Sequence, residues 1–196
     1  MNILTRRLWA ASLALVASFA CTALANAQAS APSAAAQKLN AADTQFLKHA
    51  AEAGLAEVEA ARLAMEKGVN TQVKGYAQHM IDEHTRMHAE LRTLASAKLV
   101  RLPIESSIGQ RTRIKLLSAS DGASFDRKYA DTMGVKAHQD TMKLFQKAAA
   151  SASDPQVKAF AEKALPSLQQ HLQTARELKG VVDKEGNAKA PGDRKQ

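Results

Sequence analysis

Apolar residues recur at alternating spacings of four and three along one stretch of the chain, and this periodicity constrains the fold more than any other feature. The series consists of Val73, Ala77, Met80, His84, Met87, Leu91 and Leu94. Such spacing places every member on one stripe of an α-helix that faces a neighbouring helix. After residue 40 the sequence shows no run of alternating apolar and polar residues typical of a half-buried strand. The pattern predicts an all-α fold.

Cap and breaker residues divide the chain into long predicted helices. Their approximate bounds are Asp43–Gly68, Thr71–Leu99, Ser124–Ser151 and Pro155–Lys179. Asp43 and Asp154 are predicted N-caps, and Gly68 and Gly180 are predicted stops. The segment "IGQRTRIKLLSA" can form an extra short helix between the second and third long helices. Long helices of similar length joined by polar breaks indicate an antiparallel four-helix bundle.

The first 27 residues have the three-part pattern of an export signal. "MNILTRR" is basic, "LWAASLALVASFA" is apolar, and "ALANA" offers small residues for cleavage. The apolar part is too short for a stable transmembrane anchor, so we expect a periplasmic or secreted mature chain. Cys21 is the only cysteine and would leave with the signal, which removes disulfides and thiolate ligands from consideration.

We predict one folded domain in the mature chain. Residues 28–40 form an Ala/Ser/Pro/Gln linker, residues 41–180 the helical domain, and residues 181–196 a charged tail that we expect to be disordered. The formal net charge is +8. Because lysines and arginines are scattered among acids rather than grouped with aromatic residues, we expect no nucleic-acid partner. The sequence identifies no protein partner.

One ionisable side chain interrupts the apolar stripe of each long helix. These residues are Glu57, His84, His138 and His171. With a rise of about 1.5 Å per residue, their distances from the connecting turns differ by less than one helical turn within each pair of consecutive helices. The four groups can therefore meet in one layer, where each needs a partner because burying an unpaired polar group costs free energy.

Two interpretations of this layer remain open. Three imidazoles and a carboxylate are suitable ligands for zinc, copper or iron. In the other interpretation they only bond to one another and fix the helix packing of a structural or stress-related envelope protein. The remaining histidines have no comparable partners on neighbouring stripes: His49, His79 and His88.

Sequence signals for catalysis are weak. Di-iron carboxylate proteins place a glutamate three residues before a metal-binding histidine on two helices. Ile81, Val135 and Leu168 occupy those positions here. The mature chain also has no Gly-rich phosphate loop and no Gly-x-Ser-x-Gly element. We therefore favour a role that is not enzymatic.

Three segments carry a family resemblance: "YAQHMIDEHTRMHAEL", "FDRKYADTMGVKAHQDTMKLFQ" and "FAEKALPSLQQHLQTARELK". They resemble the secreted bacterial family termed domain of unknown function 4142, over about Ala42 to Lys179. Glu83 stands where that family commonly has aspartate. The resemblance implies a ferritin-like bundle exported to the periplasm or beyond, without an assigned activity. It supports the positions of the four layer residues but does not imply that they bind metal.

The "FDRKY" segment ends at Tyr129, whose position relative to His138 can be predicted from helix geometry. Tyr129 lies about 180° around an ideal helix from His138. We therefore expect Tyr129 outside the layer unless the helix departs from ideal geometry near Gly134.

Overall fold

The computed structural model describes residues 38–188. Every regular element in this range is a helix, which confirms the all-α prediction. The elements are α1 (Ala41–Lys67), α2 (Thr71–Ala97), α3 (Ile108–Ser118), α4 (Gly122–Tyr129), a π-helical segment (Ala130–Ala137), α5 (His138–Ser151) and α6 (Pro155–Ala188). The predicted signal peptide and most of the predicted linker lie outside the described residues. None of the helices between residues 38 and 188 is long and apolar enough to cross a membrane.

The long helices form two hairpins whose buried faces make two apolar clusters. Residues 68–70 join α1 to α2, and residues 152–154 join α5 to α6. One cluster contains Tyr76, Phe125 and Tyr129, and the other contains Phe46, Phe145 and Phe160. Alanines occupy much of the remaining buried surface of α1, which allows its neighbours to approach closely. The polar layer falls between the two clusters.

Along α2, the buried His84 separates the two clusters. Met80 belongs to the cluster around Tyr76, and Leu91 belongs to the cluster around Phe145. The buried histidine in α6 is flanked in the same manner by Leu168 and Ala175. The two buried histidines thus lie between the two apolar clusters of the core.

The π-helical segment lies inside one continuous helix from Gly122 to Ser151, close to the predicted third long helix. A π-helical turn contains more residues than an α-helical turn, so it changes the angular relation between Tyr129 and His138. Tyr129 is 1% exposed, and its ring lies 6.2 Å from that of Tyr76. The ring of Tyr76 in turn lies 6.4 Å from that of His138. Tyr129 therefore packs beside the layer, because the helix departs from ideal geometry around Gly134.

Asp43 is not the N-cap of α1, so that prediction was wrong. Asn40 is the cap, and its Oδ1 accepts the backbone N–H of Asp43 at 2.7 Å. The buried carboxylate of Asp43 accepts the N–H groups of Ser153 at 3.1 Å and Asp154 at 2.8 Å. Two such bonds in the interior stabilise more than a cap on an exposed helix end, because they satisfy donors that have no other partner in the turn.

Asp126 in α4 makes the corresponding contact with the other hairpin. Its carboxylate accepts the N–H groups of Val69 at 3.2 Å and Asn70 at 2.8 Å. Each hairpin thus supplies a carboxylate to the turn of the other. The segments after the turns are also alike in sequence, since residues 70–77 read "NTQVKGYA" and residues 154–161 read "DPQVKAFA".

Helix α6 continues through Gly180, so the predicted stop there was wrong. Residues 181–188 of the predicted tail are helical. Val182 is buried in the cluster around Tyr76, and Lys179 Nζ donates to Asp183 Oδ2 at 2.6 Å. Burying a valine side chain contributes about 1.5–3 kcal/mol, more than the roughly 1 kcal/mol that a helical glycine costs. The remainder of the predicted tail, from residue 189, lies outside the described residues.

The short helix predicted between the second and third long helices is α3. Ser107 caps it, and the side chain of Gln110 accepts the N–H of Ser107 at 2.8 Å in a reciprocal capping box. Ile114 and Leu117 bury its apolar side in the cluster around Tyr76. Helix α3 consequently lies over the part of α1 that contains Glu57.

Candidate metal centre

Three buried histidines from different helices converge between the two apolar clusters. They are His84 in α2, His138 at the start of α5 and His171 in α6, and they are 2%, 0% and 2% exposed. The ring centroids are 5.5 Å apart in all three pairs. One ring nitrogen from each residue can be chosen so that the three atoms all lie within 4.8 Å of one another. We call these residues the histidine triad.

Each ring of the triad keeps a buried nitrogen that no atom of residues 38–188 bonds. These atoms are Nε2 of His84, Nε2 of His138 and Nδ1 of His171. A buried polar atom without a partner costs about 1–3 kcal/mol. A neutral imidazole nitrogen that carries no proton has a lone pair, and a cation placed among three such atoms would satisfy all of them.

The orientation of His138 follows from the π-helical segment. The backbone N–H of His138 donates to the carbonyl of Val135, which leaves the carbonyl of Met133 available. Nδ1 of His138 lies 3.2 Å from that carbonyl oxygen. Because a carbonyl only accepts hydrogen bonds, Nδ1 must carry the proton, and the lone pair of the neutral ring is then on Nε2. Metal-binding histidines are commonly oriented in this manner.

Burial keeps the triad neutral at neutral pH. It lowers the pKa of His84 well below the ordinary value, with further lowering by the neighbouring histidines, and it also lowers the pKa of His138. The pKa of His171 falls to about 4, mainly because of burial. In each case the charged imidazolium loses hydration that the surrounding protein does not replace. The neutral form that remains is the one that binds metal ions.

Glu57, the fourth residue predicted for the layer, lies beside the triad. Its Oε1 atom is 3.7 Å from Nδ1 of His138, the nitrogen that also bonds Met133. The residue is 3% exposed, and burial raises the pKa of its carboxyl to about 8 against the opposing charge of Arg113. The carboxyl also lines an open cavity of about 430 Å³ beneath α3. Glu57 thus contacts His138 and is not among the residues whose atoms can surround one ion.

The triad is wider than a loaded metal site. Nitrogens bound to one zinc ion at about 2.0–2.1 Å lie roughly 3.3–3.5 Å apart in tetrahedral geometry, whereas the candidate atoms here extend to 4.8 Å. The rings must approach one another by roughly 1 Å to share an ion. Three imidazoles would also leave one tetrahedral position for another ligand.

Two residues near the triad were not singled out as partners from the sequence. Tyr76 packs against His138, and its hydroxyl has no hydrogen-bond partner in the described part of the chain. Burial raises the pKa of Tyr76, and the charge of Glu57 raises it further. His79 is exposed, and its ring lies 5.4 Å from that of His171. The sequence signal for His79 was its spacing of four from Glu83, which places both residues on one helix face.

The other two histidines lie apart from the triad. His49 is exposed on α1, where its Nδ1 lies 3.0 Å from Oε2 of Glu52. His88 is half-buried on α2, and burial lowers its pKa. Neither belongs to the group of nitrogens that can surround one ion.

Comparison with known proteins places the chain in a family. No curated protein sequence matches it. A solved structure described as "Crystal structure of DUF305 fragment from Deinococcus radiodurans" is similar with a TM-score of 0.63 at 14% identity, over 76% of this chain and 99% of that one. At this identity the likeness concerns the fold alone. The family model described as "Domain of unknown function (DUF4142)" matches residues 28–178, so the chain belongs to the DUF4142 family.

Proposed function

We propose that this protein is an exported, ferritin-like antiparallel four-helix bundle that binds one transition-metal ion through His84, His138 and His171. The observation that carries the proposal is the convergence of three buried imidazoles that offer one nitrogen each within 4.8 Å of the others. Each ring also has a buried nitrogen without a partner among residues 38–188. Export to the periplasm or beyond is supported by the pattern of the first 27 residues. The two helical hairpins and the match to a solved helical structure support the bundle.

The donor set favours zinc, copper or iron. Imidazole is a good ligand for all three, and copper(II) binds most tightly to a given nitrogen site. Magnesium and calcium prefer oxygen ligands, which the triad does not provide. Glu57 contacts His138 from behind, and burial raises the pKa of its carboxyl to about 8. A cation bound on the other side of the ring would favour the carboxylate form, and a carboxylate beside a ligand histidine orients the ring and raises its basicity.

The alternative is a structural layer without an ion. It is favoured by the ring geometry, since His138 meets His84 and His171 at interplanar angles of 69° and 85°. Aromatic rings pack favourably edge to face at such distances. In this alternative the triad only fixes the helix packing, and metal has no effect on stability.

Metal analysis of the untagged protein separates these two functions. We expect one zinc or copper ion per chain, and a higher midpoint of thermal unfolding when the ion is present, because an ion that binds only the folded state stabilises it. His84→Gln, His138→Gln and His171→Gln should each abolish this binding, whereas His49→Gln, at an exposed histidine, should not. If no ion binds at a one-to-one ratio and a chelator leaves the midpoint unchanged, the metal function is wrong.

A further inference from the structure

The exposed His79 and the half-buried Glu83 lie next to the triad on α2. The ring of His79 meets that of His171 nearly perpendicularly, at 88° and 5.4 Å between centroids. Glu83 follows one helical turn later, and its side chain is 24% exposed. His171 is therefore the member of the triad with protein ligand atoms on its solvent side.

We infer that His79 and Glu83 form an outer metal-binding site from which a transition-metal ion passes by way of His171 to the buried triad. This inference rests on the proposed function and specifies how the ion enters. The class of ligand is a hydrated first-row transition-metal ion such as Zn²⁺ or Cu²⁺. No change of oxidation state is involved, because water ligands are only exchanged for nitrogen and oxygen atoms of the protein.

The need for an outer site follows from the burial of the triad. Its residues are at most 2% exposed, so an ion that reached them directly would lose its hydration shell at once. Moving a charged ion from water into the protein interior is costly unless other ligands replace its hydration. A surface site lowers the barrier because protein ligands replace water molecules one at a time. A histidine and a glutamate spaced by four on a helix face one side together and are both zinc and copper ligands.

A groove beside the outer site is lined by further side chains that can bind metal ions. This groove of about 220 Å³ runs between α2 and α6, lined by Glu83, Met87 and Glu90 among others. Ser167, on the α6 side of the groove, is one helical turn before His171. Carboxylates attract cations, and a thioether is a ligand for copper. The groove therefore follows the seam between α2 and α6, and Glu83 belongs both to the groove and to the outer site.

Neighbouring cations hold the two carboxylates before an ion arrives. Arg86 donates to Glu83, and Lys163 Nζ donates to Glu90 Oε2 at 2.7 Å. Both pairs are at the surface, where such ion pairs contribute little to stability. A divalent cation can displace them at little cost.

Uptake kinetics test the outer site separately from the buried one. Stopped-flow mixing of the full chain with Zn²⁺, and separately with Cu²⁺, gives the rate of uptake, and a competing chelator gives the rate of release and the affinity. His79→Gln and Glu83→Gln should slow uptake and release by roughly tenfold while the affinity and the one-to-one ratio stay within about twofold. His49→Gln is the matched control, since it removes an exposed histidine on α1.

The outcomes distinguish this inference from the proposed function. If the unaltered chain binds neither ion, both are wrong. If the triad variants abolish binding but His79→Gln and Glu83→Gln leave both rates unchanged, only the outer site is wrong. If His79→Gln abolishes binding as fully as the triad variants do, His79 is a ligand of the resident ion and the transfer route is also wrong. Thermal unfolding of both variants should match that of the unaltered protein, because both side chains are at the surface.

Discussion

The Oε1 atom of Glu57 lies 3.7 Å from the Nδ1 atom of His138. This is the nitrogen that donates to the carbonyl of Met133, while Nε2 of the same ring has no partner in residues 38–188. The carboxyl thus faces the rear of a candidate ligand. Its charge also raises the pKa of Tyr76 and Tyr129, in addition to the larger effect of burial. Glu57 consequently belongs to a buried polar group beside the triad.

Replacing Glu57 with glutamine should weaken metal binding without unfolding the protein. Glutamine has nearly the same shape but cannot become a carboxylate, so it loses the interaction that makes His138 a more basic ligand. Mutations of such supporting residues typically weaken affinity by about 10–100-fold, and we expect roughly tenfold for Zn²⁺, measured by competition with a chelator. Glu66→Gln, at an exposed glutamate of α1, is the control. Equal affinities for Glu57→Gln and the unaltered protein would show that Glu57 does not support the site.

Metal binding should persist at a lower pH than at exposed histidines. Protons compete with metal only near the pKa of a ligand, and burial lowers the pKa of His171 from 6.5 to about 4 and lowers those of His84 and His138. The affinity for Zn²⁺ should therefore fall from pH 8 to about pH 5 by no more than the roughly tenfold contribution of Glu57, whose pKa is about 8, and should fall steeply only near pH 4. Titrations at a series of pH values measure this, with a peptide of three exposed histidines as the control. A decline centred near 6.5 for the protein itself would contradict the expectation.

The stability of the metal-free protein should fall on the alkaline side because of Glu57. Burial raises the pKa of this carboxyl from 4.5 to about 8, so the folded state binds the proton more tightly than the unfolded state. The stabilisation is complete below pH 4.5 and is lost as the pH rises through about 8. Glu57→Gln should remove this loss, so urea unfolding at pH 5 and pH 9 should differ less for the variant. The prediction is wrong if both proteins lose the same free energy of unfolding between these values.

Helical periodicity identified the residues of the triad because the residues just before and after a position are enough to show whether it lies on the apolar stripe of a helix. The spacings of four and three around His84 and His171 are enough to place both on buried stripes. The same reasoning placed Glu57 in the layer, but a stripe does not specify the direction of a side chain. The contact of Glu57 with the rear of His138 depends on the π-helical segment, whose only local signal was Gly134.

Tertiary contacts account for the two helix ends that the sequence did not predict. Asp43 has the residue type of an N-cap, yet its carboxylate bonds the turn before α6, more than a hundred residues away in the chain. Gly180 has the residue type of a stop, yet the burial of Val182 continues the helix beyond it. Propensity rules describe isolated segments, and long-range burial or hydrogen bonds override them.

The two buried aspartates should each contribute strongly to stability. Asp126→Ala leaves the N–H groups of Val69 and Asn70 without their acceptor, and Asp43→Ala does the same at the turn before α6. Hydrogen bonds to charged groups contribute about 1.5–3 kcal/mol each, so we expect each variant, which loses two such bonds, to lose roughly 3–6 kcal/mol in urea unfolding. Asp82→Ala is the control, because Asp82 is exposed on α2. Losses no larger than that of the control would mean that the carboxylates do not hold the turns.

The close approach of Gly134 to α6 should make this glycine difficult to replace. A Cβ atom there would lie 3.1 Å from Cβ of Ala175, and the two further methyl groups of valine would press on α6. We expect Gly134→Val to lower the free energy of unfolding by about 1–3 kcal/mol and to weaken metal binding, since a shift of the π-helical segment moves the carbonyl that orients His138. Gly75→Ala is the matched control, because Gly75 is exposed in α2 with open space around it, and it should stabilise by about 0.5–1 kcal/mol. If Gly134→Val unfolds at the same urea concentration as the unaltered protein and binds Zn²⁺ as tightly, the close approach does not position the π-helical segment.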